Sequence, residues 1–275
     1  MAITLAQLNR AGAPKAPRIL IHGVAGVGKT SFAAQANRPV FIQTEDGLGT
    51  LPSAHFPLAL SFDEVMEALV ALYTEPHDFA TVVVDSVDWL EPLVWARACR
   101  DHGWSSIEDA GYGKGYVACL GLWRQYVDGL NALRDERGMT VVQIAHTDIK
   151  RFDSPEHDPY DRYVIKLHTR AAALLQEHSD VVLFANYRIS TVKADVGFNK
   201  KVSRAIGSGE RVIHTGERPA FLAKNRYGLP DTLPLDWSAF AEAMPPALQP
   251  MLMPSAAPTP APASHPATTS PTHLI

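Results

Sequence analysis

Residues Gly23-Val24-Ala25-Gly26-Val27-Gly28-Lys29-Thr30 carry glycines, a lysine and a hydroxyl in the spacing G-x-x-x-x-G-K-[ST]. That pattern has a specific chemistry. Glycines allow successive backbone N–H groups to converge on one anion, and a helix opening at Lys29 turns its positive end toward the same point. Lys29 then meets the β and γ phosphates, and the Thr30 hydroxyl becomes a ligand of Mg²⁺. With Ser31 following directly, residues 23 to 31 read as a cradle for Mg-ATP.

Phosphate chemistry also needs carboxylates. Asp85 ends the apolar run Thr81-Val-Val-Val-Asp85, so a strand in a sheet of this class would deliver it to the edge where the phosphate loop lies. It is the candidate residue for holding the magnesium shell. Glu45 follows the run Val40-Phe-Ile-Gln-Thr44 on the same edge and is the candidate base for the attacking water. Asp46, one residue on, is its competitor.

The elements that must position these groups are legible as well. Short apolar runs at Arg18–His22, Val40–Thr44, Thr81–Asp85, Thr140–Ala145 and Val181–Ala185 alternate with amphipathic stretches. Such runs belong to parallel strands covered on both faces by helices. Ser61 with Glu64 forms a capping box that opens a helix over Phe62–Tyr73, and a second helix runs from Tyr116 to Arg137 before Gly138 stops it. Beyond Asn186, shorter strand candidates at Glu210–Thr215 and Ala220–Lys224 suggest an antiparallel extension. The expected fold is α/β, a mostly parallel central sheet flanked by helices. The expected layout is an arm over 1–17, a core over 18–243, and a disordered tail rich in Pro, Ala, Ser and Thr over 244–275.

The chain has 275 residues, 46% of them hydrophobic, and a formal net charge of -4, which excludes a uniformly basic nucleic-acid coat. Cys99 and Cys119 fall in helical stretches, and neither a leader peptide nor a run of about 18 apolar residues is visible. The expectation is a protein of a reducing cytosol with free thiols and no membrane contact.

Phe41-Ile-Gln-Thr-Glu45 resembles the strand of RecA-type P-loop ATPases that ends in their catalytic glutamate. Asp85-Ser-Val-Asp-Trp-Leu-Glu-Pro92 is similar to their Walker B segment, and Val142-Gln-Ile-Ala-His146 stands where that family has its γ-phosphate-sensing strand. The family usually offers Gln there, whereas this chain offers His146, with Gln143 inside the strand. Phe221-Leu-Ala-Lys-Asn-Arg-Tyr-Gly-Leu-Pro230 resembles the late strand whose basic residues reach the ATP of the next subunit, which marks Lys224 and Arg226 as trans-acting fingers. The resemblance runs from about residue 18 to 230 and is strongest to small phage-encoded RecA-core ATPases of the recombination and single-strand annealing type.

That resemblance implies ATP hydrolysis, single-stranded DNA as a partner, and a head-to-tail homo-oligomer, ring or filament. A single-strand-binding protein of phage or host is a further partner it suggests. Two loops would hold DNA: Asp101–Tyr116, with Trp104, Tyr112 and Lys114, and Asp148–Lys166, with Lys150, Arg151, Phe152, Arg162 and Lys166. A third basic cluster is Lys193, Lys200, Lys201 and Arg204. The alternatives are a RecA-core helicase or other DNA motor, and a nucleotide-binding regulator with no DNA role. His214-Thr-Gly-Glu-Arg-Pro219 lacks the paired cysteines of a zinc site, and Gly111-Tyr-Gly-Lys-Gly115 follows no strand, so neither adds a ligand.

Overall fold

Apolar residues alternate between the two faces of one sheet, and that alternation fixes the architecture. The computed structural model describes residues 13–154, 158–195 and 201–254, with backbone alone over 189–195 and 201–208. The strands are β1 (Arg18–Gly23), β2 (Pro39–Gln43), β3 (Ala54–His55), β4 (Thr81–Asp85), β5 (Thr140–Phe152), β6 (Tyr160–Ile165), β7 (Val181–Asp195), β8 (Lys201–His214), β9 (Lys224–Asn225) and β10 (Thr232–Pro234). Their order across the sheet is β10-β8-β7-β1-β5-β4-β2-β3. Strands β7, β1, β5, β4, β2 and β3 are parallel, while β8, β9 and β10 join antiparallel. This is the expected mostly parallel sheet with an antiparallel extension.

The helices are α1 (Lys29–Ala34), α2 (Phe62–Thr74), α3 (Val87–His102), α4 (Lys114–Glu136), α5 (Thr169–His178), α6 (Trp237–Ala243) and α7 (Gln249–Leu252). On one face Leu20, Val82, Val84 and Val141 pack with α2 to α5. On the other, Ile19, Ile21, Val83 and Val142 pack with α1, α6 and α7. Near-continuous burial of this kind is why these strands read as unbroken apolar runs. The Ser61 hydroxyl accepts from Glu64 N and opens α2 as the capping pattern predicts.

Several boundaries differ from the sequence reading. Strand β5 continues past the core into a ribbon with β6, where a long irregular loop was expected. The expected strand at Glu210–Thr215 is the end of a much longer β7–β8 hairpin. Of the expected strand at Ala220–Lys224, Phe221 makes isolated bridges to Tyr163 and Arg218, and Lys224 opens β9. Within the stretch read as tail, Leu248 and Leu252 are buried, and Leu252 O accepts from Trp237 Nε1 at 2.8 Å. At the other end Ala16 is buried and its carbonyl accepts from Arg134 Nε. Ile3, Leu5 and Leu8 of the expected arm lie outside the described residues.

Candidate nucleotide site

Strand β1 lies between β5 and β7, so its C-terminal Gly23 stands beside His146 on one side and Ala185 on the other. A Cβ at Gly23 would lie 2.2 Å from the Ala185 carbonyl oxygen, so glycine alone lets the chain leave the sheet here. Gly28 caps α1 with φ 107, a conformation that L side chains rarely adopt. Lys29 is buried, and its ammonium donates to the carbonyls of Gly23 and Val24 at 3.0 and 3.2 Å. Burial lowers its pKa, against the pull of Asp85, Asp88 and Glu45.

Asp85 meets the loop, although β4 is not the neighbour of β1: β5 runs between them. The Thr30 hydroxyl donates to Asp85 Oδ2 at 2.8 Å. Burial pushes the Asp85 carboxyl up to about 6, and the bond from Thr30 and the charges of Lys29 and His146 oppose that rise. Among the described residues no cluster of three or more His, Cys, Asp or Glu could by itself hold a metal. The hydroxyl and carboxylate of Thr30 and Asp85 suit magnesium, which keeps waters and phosphate oxygens in its shell and asks the protein for little.

The end of β2 is locked to the end of β4. Thr44 N donates to Asp85 O at 2.9 Å, the Thr44 hydroxyl donates to Ser86 O at 2.6 Å, and Ser86 N donates back to Thr44 Oγ1 at 2.9 Å. Glu45 follows this clasp directly. Its charge acts on Lys29, Asp85 and His146, whereas Asp46 is exposed.

His146 has a partner that the sequence reading gave no role. Asp88, in the first turn of α3, accepts from His146 N through Oδ1 at 2.8 Å and pairs with His146 Nδ1 through Oδ2 at 3.0 Å. The hydrogen bond to Asp88 raises the His146 pKa above the ordinary imidazole value despite partial burial. Burial would raise the Asp88 pKa, but the two bonds from His146 outweigh it and hold the carboxyl below its usual range. Thr30, Asp85, Asp88 and His146 thus form one connected set between the phosphate loop and the start of the ribbon.

The family described as AAA domain matches residues 15–227. The chain belongs to this family. Within the AAA domain lie all the phosphate-loop, Asp85, Asp88 and His146 positions described above. A prophage-derived uncharacterized protein, YorG of Bacillus subtilis (strain 168), is 25% identical over 174 residues, covering 60% of this chain and 49% of YorG. The chain thus spans about half the length of that curated relative. The crystal structure of the RadB recombinase is similar over 76% of this chain and 86% of that one, with a TM-score of 0.40 and 16% identity.

The other predicted residues are scattered. Lys224 and Arg226 sit at the opposite end of the sheet, where Lys224 pairs with Val182 near the start of β7. The Lys224 ammonium donates to the carbonyls of Gln176, Glu177 and Ser179 at 2.8, 3.0 and 2.7 Å, closing the end of α5. Arg226 donates to Asp180 Oδ1 at 3.2 Å and is half exposed. Trp104 is stacked on His102 at 4.4 Å and Tyr112 is fully exposed, but the expected loop Asp101–Tyr116 is shortened by the end of α3, a 3-10 turn at Ile107–Ala110 and the early start of α4. Lys114, Lys150, Arg151 and Lys166 are exposed.

Arg162 is corrected by the structure. It is buried, pairs with Glu217 at 2.8 Å, donates to Phe221 O and lies over the Phe152 ring, so its charge is already engaged within the subunit. The side chains of Lys193, Lys200, Lys201 and Arg204 lie outside the described residues. A cleft of about 460 Å³ that the sequence did not reveal opens between α3 and the ribbon. Trp89, Pro92, Trp95, Lys150, Lys166 and His168 line it, and Trp89 is 53% exposed. The signal was present in the spacing Asp88-Trp89-x-x-Pro92-x-x-Trp95, which puts these side chains on one side of a helix.

Proposed function

We propose that this chain hydrolyses ATP and uses the nucleotide state to grip single-stranded DNA, in recombination or annealing, as a head-to-tail assembly of copies of itself. One observation carries the reading. Strand β5 passes from His146, beside the phosphate loop, without interruption into Lys150 and Arg151 of the exposed ribbon. A group that feels the γ phosphate and a group that meets a polyanion are then parts of one stiff strand.

The roles follow from the residues. The loop 23–30 binds the phosphates, Lys29 leaving the carbonyls of Gly23 and Val24 to meet them, and Thr30 and Asp85 hold magnesium, which supplies charge neutralisation at the transferred phosphate. Glu45 orients and deprotonates the attacking water. His146, held by Asp88, supplies a donor toward the γ phosphate. In the cleft beside α3 the exposed Trp89 indole suits base stacking and Lys150 and Lys166 suit phosphates, beside the carboxylates of Asp88, Glu91 and Asp148 that share its lining. Arg226 is the candidate group for a neighbouring subunit's nucleotide, because Lys224 is already satisfied by three carbonyls.

The test is ATP turnover with and without a poly-dT oligonucleotide. Wild-type protein is expected to turn over faster with the oligonucleotide and to retain it. Glu45→Gln keeps nucleotide affinity but loses about 100-fold or more in turnover, and Trp89→Ala weakens oligonucleotide binding by about 1–3 kcal/mol. A DNA-independent rate with no oligonucleotide retained would point to a nucleotide-binding regulator, and duplex unwinding to a helicase.

A further inference from the structure

The phosphate loop has two flanks. Thr30, Asp85, Glu45 and His146 approach from the side of β5, β4 and β2, whereas the hairpin β7–β8 lies on the other side of β1. Two cross-strand neighbours of that hairpin, Tyr187 and Arg211, reach the loop. The Tyr187 hydroxyl donates to Gly26 O at 3.4 Å, and Arg211 Nη1 donates to Val27 O at 3.4 Å. The same guanidinium nitrogen lies 2.8 Å from where a Cβ of Gly28 would be, so the glycine leaves it room.

Among the described residues Arg211 has no counter-charge in salt-bridge contact. Its strand neighbour Glu210 is paired with Arg188 at 2.8 Å, and among the described residues no carboxylate lies within ion-pair distance of Arg211. Arg211 is exposed, and among the described residues its guanidinium makes only the long bond to Val27 O, so it is available to an anion gathered by the loop beside it. The ladder is irregular between Tyr187 and Ile189, and Gly209 takes φ 74 just before the pair. Such irregularities re-aim side chains next to functional sites.

We infer that Arg211 is a phosphate anchor contributed by the same subunit, with Tyr187 as the positioning residue that ties the hairpin to the loop. The inference rests on the ATP-binding reading and adds a residue to it. Because Arg211 stands on the flank away from Asp85, Glu45 and His146, it meets the phosphates that ATP and ADP share and not the one transferred. The test is calorimetric titration of Mg-ADP and Mg-ATP into wild type, Arg211→Ala and Arg211→Lys, with melting temperatures taken without nucleotide. Arg211→Ala is expected to melt like wild type and to bind both nucleotides about 10-fold more weakly or worse, the loss of one charge-assisted contact. Arg211→Lys should recover part of that loss. Equal affinity in wild type and Arg211→Ala, or a loss confined to ATP, would overturn the assignment. A wild type that binds neither nucleotide would instead sink the ATP-binding reading beneath it.

Discussion

A side chain at the phosphate loop is defined by what holds it, and here the holder is as informative as the group held. Lys29, Thr30 and Asp85 were legible because their motifs are local in sequence. Asp88 was not, since its meaning depends on β5 arriving beside the first turn of α3, a contact across 58 residues. Its two bonds fix both the backbone and the ring of His146, which makes the imidazole a cation over more of the neutral range. Asp88→Asn should therefore return the His146 titration, followed by NMR, toward or below its ordinary value of 6.5. The linked stability has a definite sign. The raised His146 value adds stability that is full below 6.5 and lost as pH rises through the folded value, while the depressed Asp88 value adds stability present above 3.8 and lost as pH falls. The gap between wild type and Asp88→Asn in denaturant should thus be widest between those limits and shrink above them, and a gap that widened toward alkaline pH would contradict the pairing.

Elements were readable wherever they were buried on two faces, and misread where they were not. Strands β1, β2 and β4 have apolar side chains on both sides, and their runs announced them. The outer half of β5 mixes Lys, Arg and Asp with two apolar residues and is exposed, and β6, Tyr-Asp-Arg-Tyr-Val-Ile, buries Arg162 and Ile165 at a spacing of three, so neither carries a clean strand alternation. Composition misled at the C terminus in the opposite way: a Pro- and Ala-rich stretch holds α7, whose Leu252 seals the core beside Trp237. Trp237 is fully buried, and its ring lies 5.1 Å from Phe32 and 5.6 Å from Phe240, which anchors α6 against the helix that follows the phosphate loop. Trp237→Ala should cost about 3–5 kcal/mol in chemical unfolding. Truncation after residue 244 should also destabilise the protein, by removing Leu248 and Leu252 from that core. A truncated chain with wild-type stability would return this segment to the tail.

At the scale of the whole molecule the decisive fact is polarity: the phosphate loop stands at the C-terminal edge of the sheet and Arg226 at the N-terminal edge. At that second edge Asp180 is shared by Arg18, Arg134 and Arg226 at 2.8, 3.7 and 3.2 Å, one carboxylate facing three guanidiniums. Arg18 and Arg134 are largely covered, but Arg226 is half exposed, so the excess positive charge is available at the surface through Arg226. Stacked head to tail, copies would bring that charge to the phosphates of the next subunit, and repetition of such a contact gives a ring or a helical filament. Arg226→Ala and Lys29→Ala proteins should each lack ATPase activity, the first for want of a cation in trans and the second for want of a phosphate site. Lys224→Ala does not belong in this pair, because it would open the end of α5 and confuse unfolding with loss of function. Mixed together, the two variants form some junctions in which an intact loop faces an intact Arg226, and ATPase activity should return there. A mixture no more active than its parts, with co-assembly demonstrated by light scattering, would leave each active site to a single subunit and would make Arg226 a partner of Asp180 and nothing more.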